Sequence, residues 1–228
     1  MQPRSEEERP VTPPTEPYPA RLEVDYAEQL DRLSSFFRLI WAIPIAIILS
    51  LLSASTTTTV TVITDTGEIV DQITRTSGGI AAGLFAATAL MILFRRRYPR
   101  WWFDFAREFA RFQTRVVAYL ALLTDRYPST EDEQGIHLDL DFPDVERDLN
   151  RWLPLVKWLL AVPHYVVLAF LWLGAFFAIL IAWFAILFTG RYPRGLFDFV
   201  VGVGRWTLRV GAYAILLITD RYPAFSLR

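Results

Sequence analysis

The chain has 228 residues, a formal net charge of −1 and no cysteine, which excludes bulk attraction to nucleic acid, disulfides, iron–sulfur sites and thiol nucleophiles. Hydrophobic residues make up 53% and aromatics 15%, close enough to a soluble average that distribution, not total, decides the class. No Asp, Glu, Lys or Arg falls between Arg38 and Asp65, from Thr76 to Phe94, or from Trp158 to Gly190. Crossing a hydrocarbon core takes roughly 20 apolar residues in a helix, so these runs predict an integral membrane protein.

Residues 1–17 are rich in Pro and Glu (Glu6-Glu7-Glu8, Pro13-Pro14) and lack the apolar core of a signal peptide. They are expected to form a disordered cytoplasmic tail. Beyond the tail the chain repeats itself. Arg97-Tyr98-Pro99-Arg100, Phe103-Asp104-Phe105, Arg111, Arg115 and Ala118-Tyr119 recur 94 positions later as Arg191-Tyr192-Pro193-Arg194, Phe197-Asp198-Phe199, Arg205, Arg209 and Ala212-Tyr213. Thr124-Asp125-Arg126-Tyr127-Pro128 recurs as Thr219 to Pro223 after one inserted residue. Upstream the offset is 119, placing Leu33 on Trp152 and Pro44 on Pro163. The first copy therefore carries about 25 extra residues, roughly 54–78. The predicted domains are repeat 1 at 18–128, an acidic linker at 129–135 and repeat 2 at 136–228.

Within repeat 1 the expected order is a short strand (Leu22, Val24 and Tyr26 alternating with charges), a span at about 36–54, an external β-hairpin insert, a span at about 79–95, and a helix at about 100–123. The insert alternates β-branched residues around Asp65-Thr66-Gly67-Glu68. Repeat 2 offers a matching strand (Leu138, Leu140, Phe142), which invites pairing with the first and would tie the copies together. As one helix, its run from Trp158 to Gly190 would reach about 50 Å, well beyond a core of about 30 Å. The sequence therefore predicts a tight hairpin turning near Gly174, with spans at about 153–173 and 175–190, then a helix at about 194–218. Pro99 and Pro193 suit first helical turns, and Tyr127-Pro128 and Tyr222-Pro223 should end these helices.

The last helix of each copy carries a charged stripe: Asp104, Glu108, Arg111 and Arg115 in one, Asp198, Arg205 and Arg209 in the other, amid many aromatics. Such helices read as amphipathic and interfacial. Asp104 with Arg111, and Asp198 with Arg205, are the expected structural ion pairs. Arg97, Arg100, Arg111 and Arg115, with Arg191, Arg194, Arg205 and Arg209, are candidate donors to anionic lipid headgroups. His164 is the sole histidine in an apolar run. Ile45 occupies its counterpart position, which rules out a symmetric two-histidine cage and favours a hydrogen-bonded polar residue over a ligand. His137 sits among acids and reads as solvated. No phosphate loop, metal-ligand cluster or serine–histidine pair appears, and no cofactor is expected. The fold class expected is an all-α membrane protein of two tandem repeats, with a small extracytoplasmic β-hairpin in the first. Clustered arginines flanking the spans place both termini on the cytoplasmic side.

With its Arg-Tyr-Pro-Arg, Phe-Asp-Phe and Thr-Asp-Arg-Tyr-Pro blocks, the chain resembles the domain of unknown function 4389 family of bacterial membrane proteins, over about 18–128 and 136–226. The resemblance implies a small bacterial membrane protein of helical hairpins and supplies no activity or catalytic residue; the expected location is the bacterial inner membrane, multi-pass. The expected function is a non-catalytic scaffold or accessory subunit, partnered with lipids, other membrane subunits or its own copies. An anionic-lipid-binding or bilayer-shaping protein, and an oligomeric transporter or channel component, are the alternatives.

Overall fold

A computed structural model describes residues 17–45, 47, 56–63, 69–77, 80–129 and 134–228. In chain order its elements are β1 (Ala20–Val24), α1 (Arg32–Trp41), β2 (Thr56–Ile63), β3 (Ile69–Ser77), α2 (Ile80–Leu90, continuing as a π-helical turn Met91–Arg95), α3 (Arg100–Leu120), β4 (Ile136–Leu140), α4 (Val145–Asp148), α5 (Pro154–Leu160), α6 (Val162–Thr189) and α7 (Arg194–Ala214). The structure is mostly helical.

Two separate two-stranded ribbons complete it. In the insert, β2 and β3 pair antiparallel from Thr56–Ser77 to Ile63–Ile69, so the predicted hairpin forms; its turn lies outside the described residues. The alternating strands also pair as expected. β1 runs antiparallel to β4 with Leu22 opposite Leu138, and Ala20, Leu22, Ile136, Leu138 and Leu140 are buried on one face. Period-two alternation leaves Arg21, Glu23, Asp139 and Asp141 on the other, exposed face.

The helices show why their sequences break where they do. Asp31 caps α1 by accepting from the Leu33 and Ser34 amides. Helix α1 then yields at Ala42 and α5 yields at Ala161, two residues before Pro44 and Pro163, which lack the amide needed to continue the ladder. Pro99 and Pro193 lie just outside α3 and α7, as N-cap residues, and not within the first turn. Both helices stop earlier than their Tyr-Pro pairs suggested. Leu122 and Leu217 adopt φ of 64° and 57°, a left-handed reversal that closes the helix ends before the prolines are reached. Arg96 and Gly190 sit in the same left-handed region after α2 and α6.

The hairpin predicted near Gly174 does not form. Helix α6 runs unbroken for 28 residues, about 42 Å at about 1.5 Å per residue, so 153–173 and 175–190 are not two spans. A lone glycine costs a helix only about 1 kcal/mol. A turn there would instead strand several backbone donors and acceptors among apolar side chains, a far larger penalty. The missing Cβ is used for packing, since one built at Gly174 would lie 3.5 Å from the Phe199 ring. Among the described residues α6 is the one helix long and apolar enough to cross a membrane, with mean hydropathy 2.6; Ala82–Arg95 is apolar but shorter. The span expected at 36–54 falls partly outside the described residues.

Three layers result. Helix α7 packs antiparallel along α6, from Gly174 beside Phe199, through a Trp172 Nε1–Thr207 Oγ1 hydrogen bond of 3.1 Å, to His164 beside Trp206. Strand β1 covers another face of α7 along its length. The Tyr18 hydroxyl donates to the Arg209 carbonyl at 3.3 Å, Arg205 Nε to the Leu22 carbonyl at 2.9 Å, and the Tyr26 hydroxyl to the Tyr192 carbonyl at 2.5 Å. β4 lies correspondingly on α3, where Arg111 Nε donates to the Leu138 carbonyl at 3.0 Å.

Candidate functional site: cation clamps and aromatic cradles

The Arg-Tyr-Pro-Arg…Phe blocks build two aromatic cradles. The proline carbonyls at the starts of α3 and α7 accept from the amides three and four residues on (Trp102 and Phe103; Leu196 and Phe197), which fixes each block around a helix N-terminus. In one cradle Tyr98 and Phe103 meet edge to face at 5.8 Å, and Phe142, just beyond β4, packs edge-on to Phe103 at 5.1 Å. Arg100 lies 5.4 Å over the Phe142 ring. In the other, Tyr192 and Phe197 meet at 5.7 Å, Tyr26 meets Phe197 at 5.0 Å, and Arg194 lies 4.3 Å over Tyr26. A cation in the first turn opposes the helix dipole by about 0.3–1 kcal/mol. Stacking over a ring returns a similar amount, which is how arginine holds this position. Burial pushes the Tyr98 hydroxyl up to about 12 and raises that of Tyr192 as well.

Two buried cations form the second kind of site. Arg38, 3% exposed, donates to the Tyr119 and Thr124 carbonyls at 2.9 Å each, pairs with Asp125, and lies 4.6 Å over the Tyr119 ring. Lys157, fully buried, donates to the Thr219 carbonyl at 2.7 Å, pairs with Asp220 at 2.7 Å, and lies 5.2 Å from the Tyr213 centroid. Each aspartate also accepts a backbone amide at the start of the helix it holds: Asp31 N to Asp125 at 2.7 Å, and Asn150 N to Asp220. The Thr-Asp-Arg-Tyr-Pro blocks thus clamp the N-terminal ends of α1 and α5 to the C-terminal ends of α3 and α7. Sequence reasoning matched these blocks without seeing their use. The signal was present, because Arg38 and Lys157 stand at the same 119-residue offset as the flanking helices.

The arginine stripe is spent within the protein. Arg111 and Arg205 donate to strand carbonyls, as above. Arg115 donates to the Ser129 carbonyl at 2.6 Å and Arg209 to the Ser226 carbonyl. Burial lowers the pKa of Arg209. Arg97 and Arg191 are exposed and form no ion pair among the described residues. The expected Asp104–Arg111 pair is corrected: Asp104 pairs with Arg107 one turn on, at 3.3 Å, while Arg111 pairs with Glu108 at 2.9 Å. Asp198 is exposed and forms no ion pair among the described residues; three residues on stands Val201, where Asp104 has Arg107, so no near partner is present.

His164 is buried, with Nδ1 accepting from Trp206 Nε1 at 3.1 Å and its ring stacked 4.0 Å from Phe225. Among the described residues no cluster of His, Cys, Asp or Glu has the makings of a metal site. An apolar cavity of about 560 Å³ lies between α3, α6 and α7, with Gln113, Thr114, Tyr165 and Thr207 among its few polar walls. No curated protein and no solved structure matches the chain. Residues 152–226, which hold α5, α6, α7, the Lys157 clamp and the Tyr192–Arg194 cradle, match a domain of unknown function (DUF4389), the family the sequence blocks pointed to.

Proposed function

We propose that this is a non-catalytic membrane protein, a packing platform for lipid and for other membrane subunits, built from two copies of one module. The fate of the cations carries this reading. Arg38, Lys157, Arg111, Arg115, Arg205 and Arg209 are bound to carbonyls and carboxylates of the protein itself, and Arg100 and Arg194 to its rings. They fasten the fold. What remains outward is aromatic and aliphatic: Phe36, Trp41, Phe94, Trp158, Phe170 and Phe188 are each more than half exposed. Placement in a bacterial inner membrane with cytoplasmic termini belongs to the same reading, supported by the flanking arginines. Strand β1 of one copy lying on α7 of the other, and β4 on α3, makes the two copies one unit. Extraction in mild detergents followed by native mass analysis tests the proposal; companion subunits or a defined oligomer are expected, and a lone monomer under every mild condition contradicts it.

A second reading, binding of anionic headgroups, is favoured at two places. Arg95, Arg96 and Arg97 at the end of α2, and Arg191 after α6, are exposed and form no ion pair among the described residues. Arg97→Glu with Arg191→Glu should then abolish retention on anionic vesicles, and unchanged retention removes this reading.

A further inference from the structure

The order of the layers bears on how the protein meets the bilayer. Strand β1 follows α7 from Arg209 to Tyr192, and α7 follows α6 from Trp206 beside His164 to Phe199 beside Gly174. The ribbon therefore runs alongside α6, with α7 between them. Its outer face carries Arg21, Asp139, Asp141 and His137, whose side chains are 42%, 62%, 50% and 56% exposed. Each ribbon edge carries one arginine bond, Arg205 to the Leu22 carbonyl and Arg111 to the Leu138 carbonyl. Were α6 to cross the bilayer upright, this ribbon, with its half-exposed charged side chains, would lie at hydrocarbon depth, where charged groups are costly.

We propose that the protein enters one leaflet from one side, with α6 lying in the membrane plane, α3 and α7 at headgroup level, and the ribbon in water. This rests on the membrane residence proposed above. Three observations converge on acyl chains as what covers α6. Its exposed positions Phe170, Leu173, Phe177, Ile181, Phe184 and Phe188 recur every three or four residues, one continuous apolar stripe. The buried positions His164, Leu168, Ala175, Ala178, Ala182 and Ile186 form the opposing stripe against α7 and its surroundings. The helix length of about 42 Å, too long for an upright span of about 30 Å, is no mismatch for a helix lying flat. Arginines also flank both ends, Arg221 beside Tyr222, which bonds the Leu160 carbonyl, at one and Arg191 at the other, where the positive-inside rule assigns both to the same side.

The absence of native cysteine makes the test clean. Spin labels at Phe170→Cys, Phe177→Cys and Phe184→Cys, in full-length protein in vesicles, report depth from collisions with oxygen and a water-soluble nickel chelate. The in-plane helix predicts equal depth within a few ångströms for all three, and a label at Glu23→Cys fully open to nickel. An upright helix separates Phe170 from Phe184 by about 21 Å in depth, and that result overturns the proposal. Nickel access at all three, or spin–spin broadening between two copies with no oxygen enrichment, assigns the stripe to water or to a second copy and also overturns it. Release of the wild-type protein by alkaline carbonate would instead contradict membrane residence itself.

Discussion

Removing Asp125 isolates a buried cation, and its cost follows from the clamp geometry. Arg38 is 3% exposed and would keep two backbone carbonyls and the Tyr119 ring but no counter-charge, while Asp125 itself is 28% exposed. Breaking a buried pair costs about 3–5 kcal/mol, and the partial exposure of Asp125 argues for the low end. Loss of the Asp31 amide bond adds about 1 kcal/mol. Asp125→Ala should therefore cost about 4 kcal/mol, a fall of roughly 8–16 °C in Tm for a chain of this size. Asp220→Ala should behave alike, because Lys157 and the Asn150 amide depend on it in the same way. Thermal unfolding in detergent, followed by tryptophan fluorescence, reads this directly. The double variant Arg38→Met/Asp125→Leu should recover most of the loss, since the stranded charge goes with its partner. A single variant within about 1 kcal/mol of wild type, or a double variant no better than Asp125→Ala, would refute the clamp.

Other outcomes follow from single sites. Arg96→Gly should stabilise by about 1 kcal/mol, because it relieves a left-handed residue at φ 48°; Gly190→Ala should cost a similar amount at φ 72°. Both are read from Tm. The buried Tyr98 hydroxyl titrates in the folded state at about 12 against about 10 unfolded, so its contribution is complete below pH 10 and lost as pH rises through 12. Tyr98→Phe should reduce the steepness of alkaline unfolding, at a cost of about 1 kcal/mol at neutral pH for the bond to the Leu216 carbonyl. Phe142→Ala should cost about 3–5 kcal/mol if the cradle is as tight as a core site, less for its 43% exposure. Gly202→Ala should displace the C-terminal segment, because a Cβ there would meet the Leu227 backbone oxygen at 2.9 Å. Faster proteolysis after Ala224 reads that displacement.

Much of the molecule was legible from pattern. The alternation of Leu22, Val24 and Tyr26 with charges, matched by Leu138, Leu140 and Phe142, announced two strands and their pairing, because period two is a direct image of the pleat. The hairpin insert and the amphipathic helices followed from equally local signals. Position 174 departs from the pattern: bilayer mismatch and the split run of the first repeat both point to a turn there, and the energetic cost of breaking an apolar helix outweighs them. Ion-pair partners on α3 were misassigned by one turn, since Asp104 reaches Arg107 and Glu108 takes Arg111. The clamps escaped notice because burial of Arg38 and Lys157 depends on loops more than 60 residues away, which no local period encodes.

Sidedness of the two ends of α6 tests the account most directly. Arg191→Cys lies just beyond its C-terminal end, and Ala224→Cys lies beside Phe225, which stacks on His164 at the other end. A membrane-impermeant maleimide should label both in inverted vesicles and neither in intact cells. Labelling of the two positions from opposite sides would show that α6 crosses the bilayer and would contradict the one-leaflet arrangement.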